Sequence, residues 1–327
     1  MKVAIMYGDV PEGAPLDEQD GLVEVEAVTV ALKGLGYEPY PLPVTLDLKK
    51  AADALSETRP EFVFNIVESL EGKGRLIHLA PAVLDYLKMP YTGAPSESLF
   101  LTSNKLISKN TLRAAGIPTA DWVSPEDGGN RALVGRYIIK AVWEHASIGI
   151  DDGSVMSPGS TGALIKEMSV RRERLGEEVF AESYIEGREF NLSVLDGDDG
   201  PEVFPPAEIL FVDYPDNKLR LVDYKAKWVE ESFEYENTPR TFDFHESDGP
   251  LLDELKDIAK KCWRVFGVRG YARVDFRVDK NGRPFVLEVN ANPCITPYSG
   301  FIAAMERGGL SYEQVVERLI KAMKARK

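Results

Sequence analysis

Two acidic residues that face each other across a predicted β-hairpin are the part of this sequence best suited to chemistry. Asn281-Gly282 lies between two alternating runs, which is the strongest local signal for a two-residue hairpin turn. With that turn the numbers of paired residues sum to 563, so Asp275 lies opposite Glu288 and Arg273 opposite Asn290. Side chains alternate between the two faces of a strand, so these four residues share one face.

Facing carboxylates repel each other, so a bound cation is expected to neutralise them. Two carboxylates and an amide suit Mg²⁺, which often also holds substrate phosphates. The other face of the hairpin is predicted to be apolar, with Val274 opposite Val289, Phe276 opposite Leu287 and Val278 opposite Phe285. The alternative is an amphipathic hairpin with a solvated charged face. The facing acids favour a metal site, with Asp275, Glu288 and Asn290 as its ligands.

The hairpin follows a chain that alternates strand and helix patterns at its start, which is typical of an α/β layer with a parallel sheet. The predicted strands there are Lys2–Tyr7, Tyr37–Pro41 and Glu61–Val67, and the predicted helices are Val23–Leu35, Leu48–Thr58 and Leu76–Leu87. The loop Gly8–Asp20 leaves the carboxyl end of the first strand, so we expect it to face a ligand.

Further elements begin near Phe100. They are the helix Lys105–Ala115 with the capping cluster Thr102-Ser103-Asn104, the strands Tyr137–Val142 and Val179–Ile185 with the helix Thr161–Ser169 between them, the strands Glu189–Leu195 and Val203–Phe211, and the helices Leu251–Val265 and Tyr312–Ala325.

Composition excludes several classes of function. A net charge of −14 disfavours general nucleic-acid binding and a polybasic membrane surface. The sequence contains no apolar run of about 20 residues that would span a membrane, and neither a P-loop nor a dinucleotide-binding glycine pattern. The two cysteines, Cys262 and Cys294, form no disulfide framework and suggest a reduced, cytoplasmic protein.

Two loop-flanking segments carry ambiguous local signals. Lys140 lies in an otherwise apolar strand, and a phosphate contact and a lysine that reaches water at a sheet edge are equally supported. The loop that follows it contains Ser147 among small residues that would let backbone N–H groups approach phosphates. Glu182 and Glu189 flank a strand end at Ile185, where an adenine could pair with free backbone groups, although two solvated glutamates are the simpler reading.

Two other residues are weaker candidates when taken alone. Alternation places Lys225 and Lys227 on one face, which by itself favours a solvated edge. Cys294 could be a nucleophile, but a lone cysteine is more often packed and inert.

The segments from Met89 to the C-terminus, taken in order, resemble the ATP-grasp superfamily and within it the D-alanine–D-alanine ligase family. The resemblance rests on Asn104-Lys105-Leu106-Ile107-Ser108-Lys109, Gly116-Ile117-Pro118, Ile139-Lys140, the run from Glu182 to Phe190, Asp223-Tyr224-Lys225-Ala226-Lys227, Arg273-Val274-Asp275 and the run from Leu287 to Pro293. It implies an N-terminal parallel-sheet α/β domain (1–99), followed by two α+β domains (100–186 and 187–327) that clamp ATP.

The resemblance also implies a role for each candidate. Lys105 and Lys140 would hold the α- and β-phosphates of ATP with Ser147 in the adjoining loop, Glu182 and the backbone of Ile185 would bind adenine, and Glu189 would bind ribose. Two Mg²⁺ ions (or Mn²⁺) would be bound by Asp275, Glu288 and Asn290, and Arg273 would contact the transferred phosphoryl group. Lys227 would reach phosphate and substrate carboxylate, and Ser299 would bind the second substrate's carboxylate.

The implied reaction joins a carboxylate to an amine. The carboxylate attacks the γ-phosphorus of ATP to give an acyl phosphate and ADP, and the amine then displaces phosphate. The carboxylate and the triphosphate repel each other, so the site must supply positive charge, which Arg273 and the metal ions would provide. The implied partners are small amino-acid or peptide substrates and a second copy of the chain in a homodimer.

The N-terminal third departs from the family pattern. The family's Glu-Val-Ser triplet, which binds the first D-alanine, is absent from Asp17–Val23, and its His-Gly pair is absent from Asn65–Leu70. Ala146 and Trp228 stand where the family has a serine and a tyrosine of the same network. We therefore expect a ligase whose first substrate differs from D-alanine, with Glu68 and Glu18 as candidate replacements.

Other readings remain open at this point. The ligase could act on another amino acid, a hydroxy acid or a dipeptide. A non-catalytic nucleotide-binding module is disfavoured by the intact Arg273, Asp275, Glu288 and Asn290. An ATP-grasp kinase would yield a phosphorylated product in place of an amide.

Overall fold

The first of three sheets is parallel. The computed structural model describes residues 1–126, 133–144 and 147–325. In this sheet β1 (Lys2–Gly8) lies between β2 (Glu38–Val44) and β3 (Phe62–Asn65) and pairs with both in parallel. Helices α1 (Leu16–Gly34) and α2 (Leu48–Thr58) make the crossovers that parallel strands require.

Both faces of this sheet are covered, as the alternation of β1 dictates. Val3 and Ile5 pack with α1, whereas Ala4 and Met6 pack on the opposite face with α2. After β3 a 3₁₀ turn (Gly74–Leu76) leads into α3 (Leu79–Tyr86) and α4 (Ser96–Ser103). The predicted strands and the predicted α2 are confirmed.

The helix α1 begins seven residues before the predicted start at Val23, within the segment predicted to be a loop. Its early turns lack an apolar stripe because Asp20 and Glu24 occupy buried positions there. Asp17 and Glu18 lie in the first turn, where negative charge complements the helix dipole. The early turns of this helix therefore could not be predicted from apolar periodicity, because they present polar residues to the interior.

The second sheet is antiparallel and follows α5 (Lys105–Ala114). Its strands run in the order β4-β7-β5-β6, and one helix, α6 (Thr161–Leu175), packs on it. The strands are β4 (Trp122–Val123), β5 (Tyr137–Ala141), β6 (Val155–Met156) and β7 (Val179–Ser183), with a 3₁₀ turn at Asp152–Ser154.

The third sheet carries the hairpin. Its order is β11-β10-β8-β12-β13, and β9 pairs with β8. The strands are β8 (Gly187–Gly197), β9 (Gly200–Val203), β10 (Ala207–Ile209), β11 (Arg240–Thr241), β12 (Tyr271–Asp279) and β13 (Pro284–Ala291); the helices are α7 (Tyr224–Trp228), α8 (Phe233–Glu236), α9 (Gly249–Val265), α10 (Gly300–Arg307) and α11 (Tyr312–Lys324), with a 3₁₀ turn at Glu246–Asp248.

Amphipathic helices close the core of this sheet. Helix α9 packs Leu255, Ala259 and Cys262 against β8, β12 and β13. Helices α10 and α11 pack on the other side, against α1 and the first sheet. An α/β layer followed by two α+β layers, as predicted, thus surrounds a common cleft.

Candidate active site

One cavity of about 780 Å³ lies between the three sheets and brings the predicted site residues together. Every one of them lines it: Lys105, Lys140, Ser147, Glu182, Ile185, Glu189, Lys227, Arg273, Asp275, Glu288, Asn290 and Ser299. Residues separated by nearly 200 positions therefore share one space.

The β12–β13 hairpin places the two acids as predicted, by a different route. Asp275 pairs with Glu288 and Arg273 with Asn290. However, the turn is longer than predicted, since Asp279 N–H bonds to the Arg283 carbonyl, and the register near it has Phe276 opposite Val286.

A bulge at Leu287 restores the predicted register towards the site. The predicted pairs Phe276–Leu287 and Val278–Phe285 are therefore wrong, and Val278 lies opposite Pro284. As the extra residue of a bulge, Leu287 leaves the apolar face and lines the cavity. The loop and the bulge each shift the register by one residue, and the two shifts cancel at Asp275.

Hydrogen bonds within the protein satisfy Asp275. The Arg273 guanidinium donates to both of its oxygens, at 2.8 Å each. The Asn290 amide lies between the acids and donates to Asp275 at 3.1 Å and to Glu288 at 3.3 Å. Arg273 thus supplies part of the positive charge that the sequence argument assigned to a cation.

The pKa values of the lysines that line the cavity shift in different directions. Burial lowers the pKa values of Lys105 and Lys227. For Lys140, burial opposes the charge, but Glu182 accepts a hydrogen bond from it at 2.6 Å and the pKa rises. Lys105 is tied to the Glu144 carbonyl and begins α5, where Asn104 caps the helix as predicted. Three lysines therefore reach the cavity from separate elements.

Lys227 lies on a helix, contrary to the alternation argument. Asp223 caps α7 by accepting from the backbone N–H of Ala226 at 2.9 Å. Residues two apart on a helix point in different directions, so Lys225 is exposed while Lys227 lines the cavity. The predicted shared face of the two lysines is wrong.

A buried glutamate in the lining of the cavity is paired with an arginine. Glu189 lies opposite Arg277 across β8 and β12, and the two form an ion pair at 3.0 Å. Burial raises the pKa of Glu189, and Arg277 opposes that shift. Nearby β7 ends at Ser183, two residues before the predicted end, so Ile185 lies in the connection between sheets.

A loop hydroxyl ties the two sides of the cavity together. The Ser147 hydroxyl donates to the Val222 carbonyl at 2.9 Å, just before α7. Ser147 has a positive φ of 61°, which is unusual for a residue with a side chain. Ala146 lies outside the described residues, whereas Trp228 lines the cavity.

Ser299 caps α10 by accepting from the Ile302 backbone N–H at 3.3 Å, which places it at the positive end of that helix. The guanidinium of Arg240, a residue that the sequence did not single out, lies over Gly300 at the start of the same helix. The nearby guanidinium of Arg273 and, above all, burial lower the pKa of Arg240. This corner of the cavity is suited to an anionic group.

Another wall of the cavity is acidic. Asp20 and Glu68 line the cavity, and Tyr298 donates its hydroxyl to Asp20. Loss of hydration and then the charge of Asp20 raise the pKa of Glu68 to about 7, while Arg273 opposes that shift. Glu18 lies beside Gly72, outside the lining. Of the two acids proposed as replacements, Glu68 is therefore the one that the structure places in the cavity.

Cys294 also lines the cavity, and its thiol donates to a carboxylate oxygen of Asp20 at 3.1 Å. Burial and the neighbouring acids raise the pKa of Cys294 well above its usual value. A thiol in this state is a poor nucleophile, because the thiolate is the reactive form. The geometry therefore favours an inert Cys294 over a nucleophilic one.

Sequence reasoning missed several residues of the site. The Asn191 amide donates to Asp275 at 2.8 Å, and Lys109 donates to Glu182. Alternation along β8 could have revealed Asn191, since it lies two residues from Glu189 on the same face. The same alternation along β12 could have revealed Arg277, which lies two residues from Asp275. No such alternation marks Lys109 or Arg240, because their partners lie on distant segments.

Comparison with known proteins identifies the family. The family model described as D-ala D-ala ligase C-terminus matches residues 132–321, more than half of the chain. The chain belongs to this family. Its relatives include the D-alanine–D-alanine ligase of Carboxydothermus hydrogenoformans, 29% identical over 334 residues, covering 98% of this chain and 97% of the relative. An uncharacterised protein of Sinorhizobium fredii, y4sG, is 28% identical over 303 residues, covering 90% and 85%.

The fold agrees with solved structures of the family. The Bacillus anthracis D-alanine–D-alanine ligase, solved in complex with ATP, superposes with a TM-score of 0.73, covering 99% of this chain and 98% of that one at 22% identity. The predicted ATP-grasp fold is confirmed. The protein is an ATP-dependent, C–N bond-forming ligase of this family, and the family implies ATP, Mg²⁺ and small-molecule substrates. None of the helices among the described residues could cross a membrane.

Proposed function

We propose that this ligase joins a carboxylate to an amine through an acyl phosphate, in the manner of a D-alanine–D-alanine ligase, and that its first substrate is not D-alanine. One observation carries the second half of the proposal. The residues suited to ATP and metal all line one cavity, but the wall facing Arg273 carries Asp20 and Glu68 in place of the family's network.

The chain's own residues suit the binding of ATP. Lys105 and Lys140 would hold phosphates, with Ser147 in the loop above them. Glu182, which accepts a hydrogen bond from Lys140, lines the same cavity as Ile185 and Glu189, and these three residues would bind adenine and ribose. This arrangement orders the triphosphate towards Arg273.

The donor set beside Arg273 suits a hard cation. Asp275, Glu288 and Asn290 offer carboxylate and amide oxygens, which Mg²⁺ prefers. We propose two Mg²⁺ ions here, with Mn²⁺ as a substitute; when bound, they would neutralise the phosphate charge that repels a carboxylate. Arg273 would stabilise the negative charge on the transferred phosphoryl group.

The remaining residues would orient the substrates. Ser299, at the start of α10, and Lys227 would hold the carboxylate of the amine substrate. Glu68 and Asp20 would hold a cationic group of the first substrate. We further propose the three domains 1–99, 100–186 and 187–327, a homodimer, and a cytoplasmic location, the last supported by the free cysteines Cys262 and Cys294.

The test is ADP release over a panel of amino acids, hydroxy acids and dipeptides, with products identified by mass spectrometry. We expect an amide product and weak turnover with D-alanine alone. Robust turnover with millimolar D-alanine would refute the changed-substrate part. A phosphorylated product, or ATP binding without ADP release across the panel, would refute ligation.

A further inference from the structure

Lys109 is a buried cation that none of the assigned roles uses. It lies on α5, is 1% exposed, and is absent from the lining of the cavity. An ammonium group in such a place is costly unless it is paired and hydrogen-bonded. Burial lowers the pKa of Lys109, and Glu182 opposes the shift. Its retention therefore calls for a specific partner.

That partner is Glu182. Lys109 donates to one carboxylate oxygen and Lys140 to the other, at 2.6 Å each. Burial alone would raise the pKa of Glu182, but the two ammonium groups hold it at about 2. Lys109 is also fixed from behind, because it donates to the Thr119 hydroxyl at 2.8 Å, which donates in turn to the Val286 carbonyl at 2.9 Å.

The two lysines differ in what else they can reach. Lys140 lines the cavity and would turn towards phosphate when a nucleotide binds, whereas Lys109 is enclosed. Lys109 would then be the cation that keeps Glu182 ionised and correctly aimed. We infer that Lys109 is a positioning residue for base recognition, which holds the Glu182 carboxylate as an acceptor for the 6-amino group of adenine. This inference rests on the proposed adenine site.

Base selectivity separates this role from a merely structural one. The probes are ATP and purine riboside triphosphate, which lacks the 6-amino group, each titrated with Mg²⁺ into the whole chain by calorimetry. Losing a charged hydrogen bond should weaken ATP binding by roughly 10- to 100-fold in Lys109→Met, with little change for the analogue. Lys109→Arg, which keeps the charge, should recover part of the preference.

Matched variants keep the test decisive. Lys166→Met makes the same change at an exposed position of α6 and should leave both affinities unchanged. If Lys109→Met does not fold, Thr119→Val removes the lysine's second anchor and should lower the ATP preference in part. In a Glu182→Gln background, a Lys109 substitution should have no further effect on the preference.

The inference would be overturned if folded Lys109→Met kept the wild-type preference for ATP over the analogue. If Lys109→Met does not fold, an unchanged preference in Thr119→Val would overturn it. A wild-type chain that does not prefer ATP would also overturn it. Failure of the ligase proposal is seen separately, as the absence of an amide product, and does not affect these binding measurements.

Discussion

At the scale of single residues, the site depends on charges placed against each other. Asp275 is held in place by hydrogen bonds from Arg273, Asn191 and Asn290, so protein contacts fix its orientation. Glu288 shares the Asn290 amide and completes the donor set. Such preorganisation lets the site stabilise charge without rearranging during the reaction.

Removing Glu288 should therefore abolish most of the catalysis. We expect Glu288→Ala to raise the barrier by about 3 kcal/mol or more, a loss of at least roughly 100-fold in kcat, because an anchor of the metal and transition-state charge is lost. Steady-state ADP release measures it. Glu254→Gln, on the exposed side of α9, is the control, and a near-normal rate for Glu288→Ala would contradict the assigned role.

Glu68 should make stability depend on pH. Its pKa is raised to about 7 by lost hydration and by Asp20, so the folded state binds its proton more tightly than the unfolded state does. Protonated Glu68 therefore contributes most to the free energy of unfolding at low pH, and this contribution is lost as the pH rises through about 7. Asp17, Asp20, Glu24 and Arg273 also act on this group.

The measurement for Glu68 is urea unfolding at about pH 5 and about pH 8. We expect the free energy of unfolding of Glu68→Gln to fall less between these values than that of the wild type. Glu57→Gln, an exposed position on α2, should behave as the wild type does. Parallel pH profiles for wild type and Glu68→Gln would show that Glu68 does not carry this proton.

At the scale of elements, the β12–β13 hairpin sets the register of the site. Its turn contains Gly282 with a positive φ of 78°, and the bulge at Leu287 compensates for the turn's length. The sequence predicted a hairpin at the right place because Asn-Gly is a local signal. It could not predict the bulge, because Asn-Gly specifies the turn and carries no information about the register farther along β13.

Substitution at this turn should weaken the fold. We expect Gly282→Ala to lower the free energy of unfolding by about 1 kcal/mol, because a residue with a Cβ is strained at positive φ. Thermal or urea unfolding measures the change. Gly159→Ala, at a glycine that also has open space around it but no positive φ, should be close to neutral. Equal effects at both positions would argue against strain at the turn.

Helix α1 shows a second limit at this scale. Its early turns bury acids where a helix normally buries apolar residues, so hydrophobic periodicity predicted a loop. Glu24 accepts a hydrogen bond from the Ile295 backbone at 3.0 Å, which joins α1 to the segment that leaves the hairpin. Such a contact, 271 residues apart, has no local signature.

At the scale of the whole molecule, three sheets contribute to one cavity, so a ligand there should stabilise the chain as a unit. We expect MgATP to raise the melting temperature, with a gain of about 2.7 kcal/mol at a hundredfold excess over Kd. Scanning calorimetry with and without EDTA measures it. In Glu288→Ala, the part of the rise in melting temperature that depends on the divalent ion should be lost. If ATP raised the melting temperature of the wild type equally in the presence of EDTA, the metal site would be contradicted.

The sequence alone predicted the family's reaction class and most of the secondary-structure elements in their order along the chain. Local signals such as Asn281-Gly282, the Asn104 cap and the alternation of β12 and β13 sufficed, because each depends on neighbours along the chain. The residues that we propose for ATP could be listed from the sequence because their motifs lie within short segments.

The tertiary structure decided which charges meet. It placed Lys109 and Lys140 on one carboxylate, Arg277 against Glu189, and Glu68 with Asp20 in the lining of the cavity. These pairs join residues from segments that are far apart in the sequence, and their energies depend on burial that only packing creates. For that reason no pattern along the chain could reveal them.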